Sequence, residues 1–161
     1  MQMRVTVKGM NIEEQSRELG QQVSSLLYNT LNSIAEVIAQ TSPVDSGTYA
    51  RNHEVALRSG SFTPDVIRDP DAPRLSRGAA VDVEAARAAG LAGMKADIDA
   101  FGLVNNAGRQ LGSIAYTEQN FVFRNPVTYA SKVEELDGVY ALAKREVGNA
   151  IAESVAKVRK L

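Results

Sequence analysis

Cysteine is absent from the 161 residues, and histidine occurs once, at His53. Without cysteine there are no disulfides, no thiol nucleophile and no thiolate metal site, which fits a reducing compartment. A lone histidine leaves a transition-metal site short of nitrogen ligands, since such sites need three or four ligands together. His53 stands between Asn52 and Glu54, and its neighbours predict a solvated side chain. A surplus of one charge is also missing. Eighteen basic and 19 acidic residues leave a net charge of −1, which gives no global electrostatic case for a nucleic-acid binder or a polybasic membrane binder. No apolar run approaches the ~20 residues needed to span a bilayer. The first eight residues, Met-Gln-Met-Arg-Val-Thr-Val-Lys, lack the apolar core of a secretory signal. The expectation is a protein that acts in the cytoplasm where it is made.

What is present supports one domain over residues 1–161. Hydrophobic residues make up 44% of the chain, too many for a disordered polymer. A chain of this size can bury roughly 70% of its unfolded surface. Residues 3–8 alternate apolar and polar and read as a short strand. From residue 12 to 40 the apolar positions Leu19, Val23, Leu26, Leu27, Leu31, Ile34, Val37 and Ile38 recur at three and four. They form the stripe of a long amphipathic helix, with Asn11 as its cap. Pro43 excludes Ser42 from the helical region, so the helix stops there. Asp45 then suits an Asx-turn or a helix cap, and Gly47 a backbone shape that a Cβ would hinder. Residues 52–58 read as a strand with Val55 and Leu57 inward.

Residues 59–78 contain Pro64, Pro70 and Pro73, with Asp65, Asp69 and Asp71 between them. A connection of this length tends to serve a function, and here the expectation is ordering against a partner. The aspartates lack the Asp-x-Asp-x-Asp-Gly spacing and closing glutamate of a calcium loop. Asp82 caps a second predicted helix to about Phe101, with Leu91, Met94, Ile98 and Phe101 inward and Gly90 and Gly93 weakening it. Segments 113–117 and 119–124 read as strands, the latter stopped by Asn125-Pro126. A last helix runs from 139 to 161 on Val139, Leu142, Ala143, Val147, Ile151, Val155 and Val158. Lys157, Arg159 and Lys160 stand at its C-terminal end, where cations suit the helix dipole.

Two segments carry a resemblance. Pro43-Val-Asp-Ser-Gly47, after a long amphipathic helix, resembles the Pro-Val-Asp-Thr-Gly signature of the small tail-completion proteins of long-tailed bacteriophages and prophages. That family includes the head–tail joining proteins of lambdoid phages. Its second signature, a strand ending in Asn followed by Tyr-Ala-x-x-x-Glu, is matched by Arg124-Asn-Pro-Val-Thr-Tyr-Ala-Ser-Lys-Val-Glu134. Tyr49 and Ala50 stand where many members have leucine and arginine, and Glu135 replaces a glycine. The resemblance spans roughly residues 11–160. It implies a structural protein of the virion neck or tail end, assembled in the bacterial host cytoplasm. It also implies a ring, of six subunits, that contacts the portal and adaptor complex and the tail tube or tail terminator proteins. DNA would at most pass through the channel; no membrane, cofactor or catalytic residue is implied. Pro43, Asp45, Gly47, Asn125, Tyr129 and Glu134 fall on the signatures. Tyr129 is expected to bury its ring and bond its hydroxyl. Glu134 is expected to bond to the hinge turn or to a basic residue.

The corresponding fold is α+β: an antiparallel or mixed sheet with the first and last helices on one face. The inserted helix and Pro-rich loop, residues 59–101, would project from it. Two other classes stay open. One is a monomeric adaptor of the same fold in another assembly. The other is a small enzyme like the short-chain dehydrogenases, suggested by Leu103-Val-Asn-Asn-Ala-Gly108 and by Tyr129 with Lys132. The enzyme fails on spacing, since its catalytic pair needs Lys four positions after Tyr, on one helix face, and here Lys132 follows Tyr129 by three. It also lacks the N-terminal Gly-rich turn for a pyrophosphate.

Overall fold

The computed structural model describes residues 12–45, 47–57, 80–103 and 121–158. The expected strands at 3–8 and 113–117, the loop at 59–78 and the turn at 105–108 lie outside the described residues. Within them the chain is mostly helical and carries a two-stranded antiparallel sheet, an α+β architecture. Helix α1, Ile12–Thr41, ends where Pro43 requires. Side chains bond carbonyls around its end. Thr41 Oγ1 donates to the Val37 carbonyl at 2.8 Å and Ser42 Oγ to that of Ile38 at 2.6 Å. The Arg87 guanidinium reaches the Ser42 carbonyl at 3.1 Å, a cation placed at a helix C-terminus.

The turn does not lead directly into a strand. A single helical turn, α2 (Thr48–Arg51), intervenes, and its N-cap is Gly47, in the left-handed region at φ 80. Tyr49 and Ala50 are buried there. Strand β1, Glu54–Leu57, pairs antiparallel with β2, Phe121–Arg124, with Glu54 opposite Arg124 and Val55 opposite Phe123. The opposite charges of Glu54 and Arg124 form an ion pair across the two strands. On the other side of β1, the Val55 N–H donates to Asp97 Oδ2 at 2.9 Å. A carboxylate thus satisfies a group that a third strand would otherwise take.

Asp97 belongs to α3, Val83–Ala100, and this helix corrects the expected arrangement. Asp82 caps it as anticipated, accepting from the Ala85 N–H at 2.9 Å. It does not project. Ala86, Gly90, Met94 and Ile98 recur every four residues along one line and are all buried. The helix packs on α1, α2 and β1 together. A Cβ built on Gly90 would lie 1.9 Å from the Ala50 carbonyl oxygen, so glycine is what lets α3 cross α2 at this distance. The sheet is therefore backed by the inserted helix, while α1 and the last helix pack chiefly on each other.

A second unanticipated helix, α4 (Ala130–Asp137), follows β2. It ends at Gly138, φ 59, whose N–H bonds back to the Glu134 carbonyl, a left-handed C-terminal cap. Helix α5, Val139–Val158, begins at once. Its buried line is Val139, Ala143, Ala150 and Ser154. The predicted stripe included Ile151, which is 44% exposed. It sits one residue, about 100°, beyond Ala150 and so off the inner face. Small residues on the buried lines of α1 (Ser25, Ala35, Ala39) and α5 suit the close contact of the two helices.

Candidate functional site: a buried polar joint and an open groove

The chain converges on His53, and the expectation of a solvated histidine is wrong. Its side chain is 0% exposed. The strand starts only at Glu54, so His53 occupies the bend between α2 and β1. Its ring is held edge-on by Tyr49 and Tyr140, with centroids 4.9 and 5.7 Å away. Nε2 lies 2.7 Å from Ser42 Oγ, and Nδ1 lies 2.9 Å from Tyr140 Oη.

The direction of these bonds follows from Ser42. Its hydroxyl donates to the Ile38 carbonyl, which can only accept. His53 Nε2–H therefore donates to Ser42 Oγ, and Tyr140 O–H donates to the bare Nδ1. Burial lowers the His53 pKa from 6.5 to about 4, which keeps the ring neutral near pH 7. Serine beside histidine superficially suggests a nucleophile and its base. Here Nε2 carries a proton and cannot take one from Ser42, and both side chains are buried. The cluster joins α1, the α2–β1 bend and α5; it is a structural joint.

Asn125 extends that joint. Its Nδ2 donates to the Tyr49 carbonyl at 2.7 Å and its Oδ1 accepts from the Val127 N–H at 3.2 Å. The two segments singled out in the sequence, 76 positions apart at these residues, are thereby tied together. Pro43, Asp45 and Tyr129 line one groove of about 510 Å³, with Tyr49, Val133, Leu136 and Asp137. Gly47 stands at the head of α2, buried beside Ala86.

Three of the six signature residues behave differently from expectation. Asp45 is exposed and does not cap α2, because Gly47 holds that position. Tyr129 is 42% exposed at the head of α4. Among the described residues Glu134 bonds to neither the hinge nor a cation: its two oxygens accept from the Tyr140 and Ala141 N–H groups at 2.9 and 3.0 Å. It reaches across Gly138 to cap α5, placing a carboxylate at a helix N-terminus.

Sequence reasoning missed Tyr49 and Leu136. The Tyr49 hydroxyl is buried with no hydrogen-bond partner among the described residues. Burial, with Glu134 and Asp137 nearby, pushes its pKa up. Leu136, 76% exposed, is the most exposed large apolar side chain described. An apolar residue amid Glu134, Glu135 and Asp137 was the signal available for it. Among the described residues no group of three or more His, Asp or Glu could hold a metal ion. No described helix is long and apolar enough to cross a membrane. Set against protein-family models, curated proteins and solved structures, the chain matches none of them.

Proposed function

We propose that this protein is a structural component of a bacteriophage neck or tail end. It acts as a ring that joins head to tail or caps the tail tube. The supporting observation is the meeting of the two signature segments: Asn125 holds the Tyr49 carbonyl, and Pro43, Asp45 and Tyr129 share one groove. Both segments end in local structure that fixes a surface rather than a reaction centre. Gly47 and Asn125 set the turns, and Glu134 sets the start of α5.

The proposed partners are further copies of the chain, the portal and adaptor complex, and the tail tube or its terminator. A ring joins two different patches of each subunit and closes only when the rotation per subunit allows it. The groove is one such patch. The Pro-rich segment at 59–78 remains the proposed contact for a neighbouring virion protein.

Virions assembled without this polypeptide test the reading. Electron micrographs should show filled heads and separate tails, with infectivity restored when the wild-type protein is supplied. Joined, normally infectious particles would refute it. Light scattering or mass photometry separates the ring from a monomeric adaptor.

A further inference from the structure

We propose that the groove between the hinge and α4 receives the basic C-terminal segment, residues 157–161, of a second copy of the chain. This rests on the ring reading above and names its contact. The groove has an apolar lining, Pro43, Tyr129, Val133 and Leu136, and two carboxylates, Asp45 and Asp137. Its exposed large apolar members, Tyr129 and Leu136, are the kind of side chain that a partner covers. The sequence from 157 to 161, Lys-Val-Arg-Lys-Leu, has three cations, two apolar residues and no acid. Charge and hydropathy are complementary on both counts.

Geometry excludes the chain's own tail. Helix α5 starts next to Asp137 and runs 20 residues away from it, about 30 Å at 1.5 Å per residue. The three residues after Val158 span at most ~11 Å even when fully extended. The start of α5, beside the groove, and its end at Val158 are thus about 30 Å apart, farther than the segment after Val158 can reach back. A tail can fill a groove only in another copy, and every copy then offers one of each. That is a head-to-tail contact, which closes into a ring or runs on as a filament. Each contact is small; a closed ring, in which every subunit makes two, is what gives it persistence.

The test uses the full-length protein with a photo-crosslinking amino acid in place of Leu136. An isotopically heavy population is mixed with a light one. Illumination should link position 136 of one population to the peptide containing residues 157–161 of the other. Removing residues 159–161, or Lys157→Glu with Arg159→Glu and Lys160→Glu, should weaken self-association at least tenfold by mass photometry, at a temperature where circular dichroism shows the variants still folded, since the lost helix-end cations lower the melt only slightly. Mixing that triple variant with Asp45→Lys/Asp137→Lys should restore association. Crosslinks to any other segment, or association indifferent to these changes, overturn the proposal. If rings persist without the tail, the contact is wrong and the ring reading stands. If the crosslink forms but only open filaments appear, the contact stands and the ring reading falls. A chain that stays monomeric at its highest soluble concentration overturns both.

Discussion

A neutral imidazole enclosed by two tyrosine rings ties stability to pH through a single group. His53 is protonated in the unfolded chain below pH 6.5, whereas the folded chain resists protonation until about pH 4. Between those values the unfolded state binds more protons, so stability falls as pH drops; above the window the contribution is complete. The gap corresponds to ~3 kcal/mol at most. Urea unfolding of wild type and His53→Gln at pH 7 and pH 5 checks this. The wild type should lose more stability on acidification than the variant, and equal losses would place the burial of His53 in error. Glu134 provides a second residue-scale prediction. Glu134→Ala leaves two first-turn N–H groups of α5 without their acceptor and should cost ~1 kcal/mol, within the usual range for a lost cap. Chemical unfolding would detect it, and no change would show that water replaces the carboxylate without penalty.

At the scale of elements, two helical glycines predict opposite signs. Gly90 faces the Ala50 carbonyl oxygen, which an added Cβ would approach to 1.9 Å. Gly90→Ala should destabilise by about 1–3 kcal/mol or more, because backbone rather than a pliant side chain must give way. Gly148 has nothing within 4 Å and lies exposed on α5. Gly148→Ala should stabilise by roughly 0.5–1 kcal/mol, the intrinsic difference in helix propensity. Melting midpoints that shift in the same direction for both would contradict the packing of α3 on α2.

The same pair marks where sequence is informative. The long helices α1, α3 and α5 were readable because their stripes repeat over several turns. Pro43 and Asp82 also mark ends by local chemistry that tertiary contacts do not alter. Helices α2 and α4 were not readable. Four residues of α2 are too few for a period, and α4 buries none of its eight, so it has no stripe. Helix α2 is held by α3, remote in sequence, whereas α4 ends on a local cap at Gly138 and packs on α5. His53 was misjudged for the same reason as α2. Its polar neighbours are themselves engaged, Asn52 buried on the Thr48 carbonyl and Glu54 paired with Arg124, and its partners Ser42 and Tyr140 stand 11 and 87 positions away. The six signature residues were found through resemblance, whereas Leu136 and Tyr49 complete the groove without belonging to it.

For the whole molecule, folding and assembly should be separable because different residues serve each. The core of α1, α3 and α5 closes without Leu136, which keeps 76% of its surface in water. An exposed leucine contributes little to folding, yet covering it in an interface is worth up to roughly 1.5–3 kcal/mol. Leu136→Arg would remove that gain and add a cation to a groove whose own charges are Asp45 and Asp137. Its unfolding free energy should stay within about 0.5 kcal/mol of wild type, as for surface substitutions generally. Self-association should fall tenfold or more, and the rescue of joined virions should fail. Gly90→Ala should show the reverse: a lower melting point, with subunits that still associate below it. Parallel measurements of unfolding and of particle mass on these two variants decide the matter. If Leu136→Arg unfolds early and still assembles, the groove serves the fold of the single chain, and the contact between copies must lie on another face.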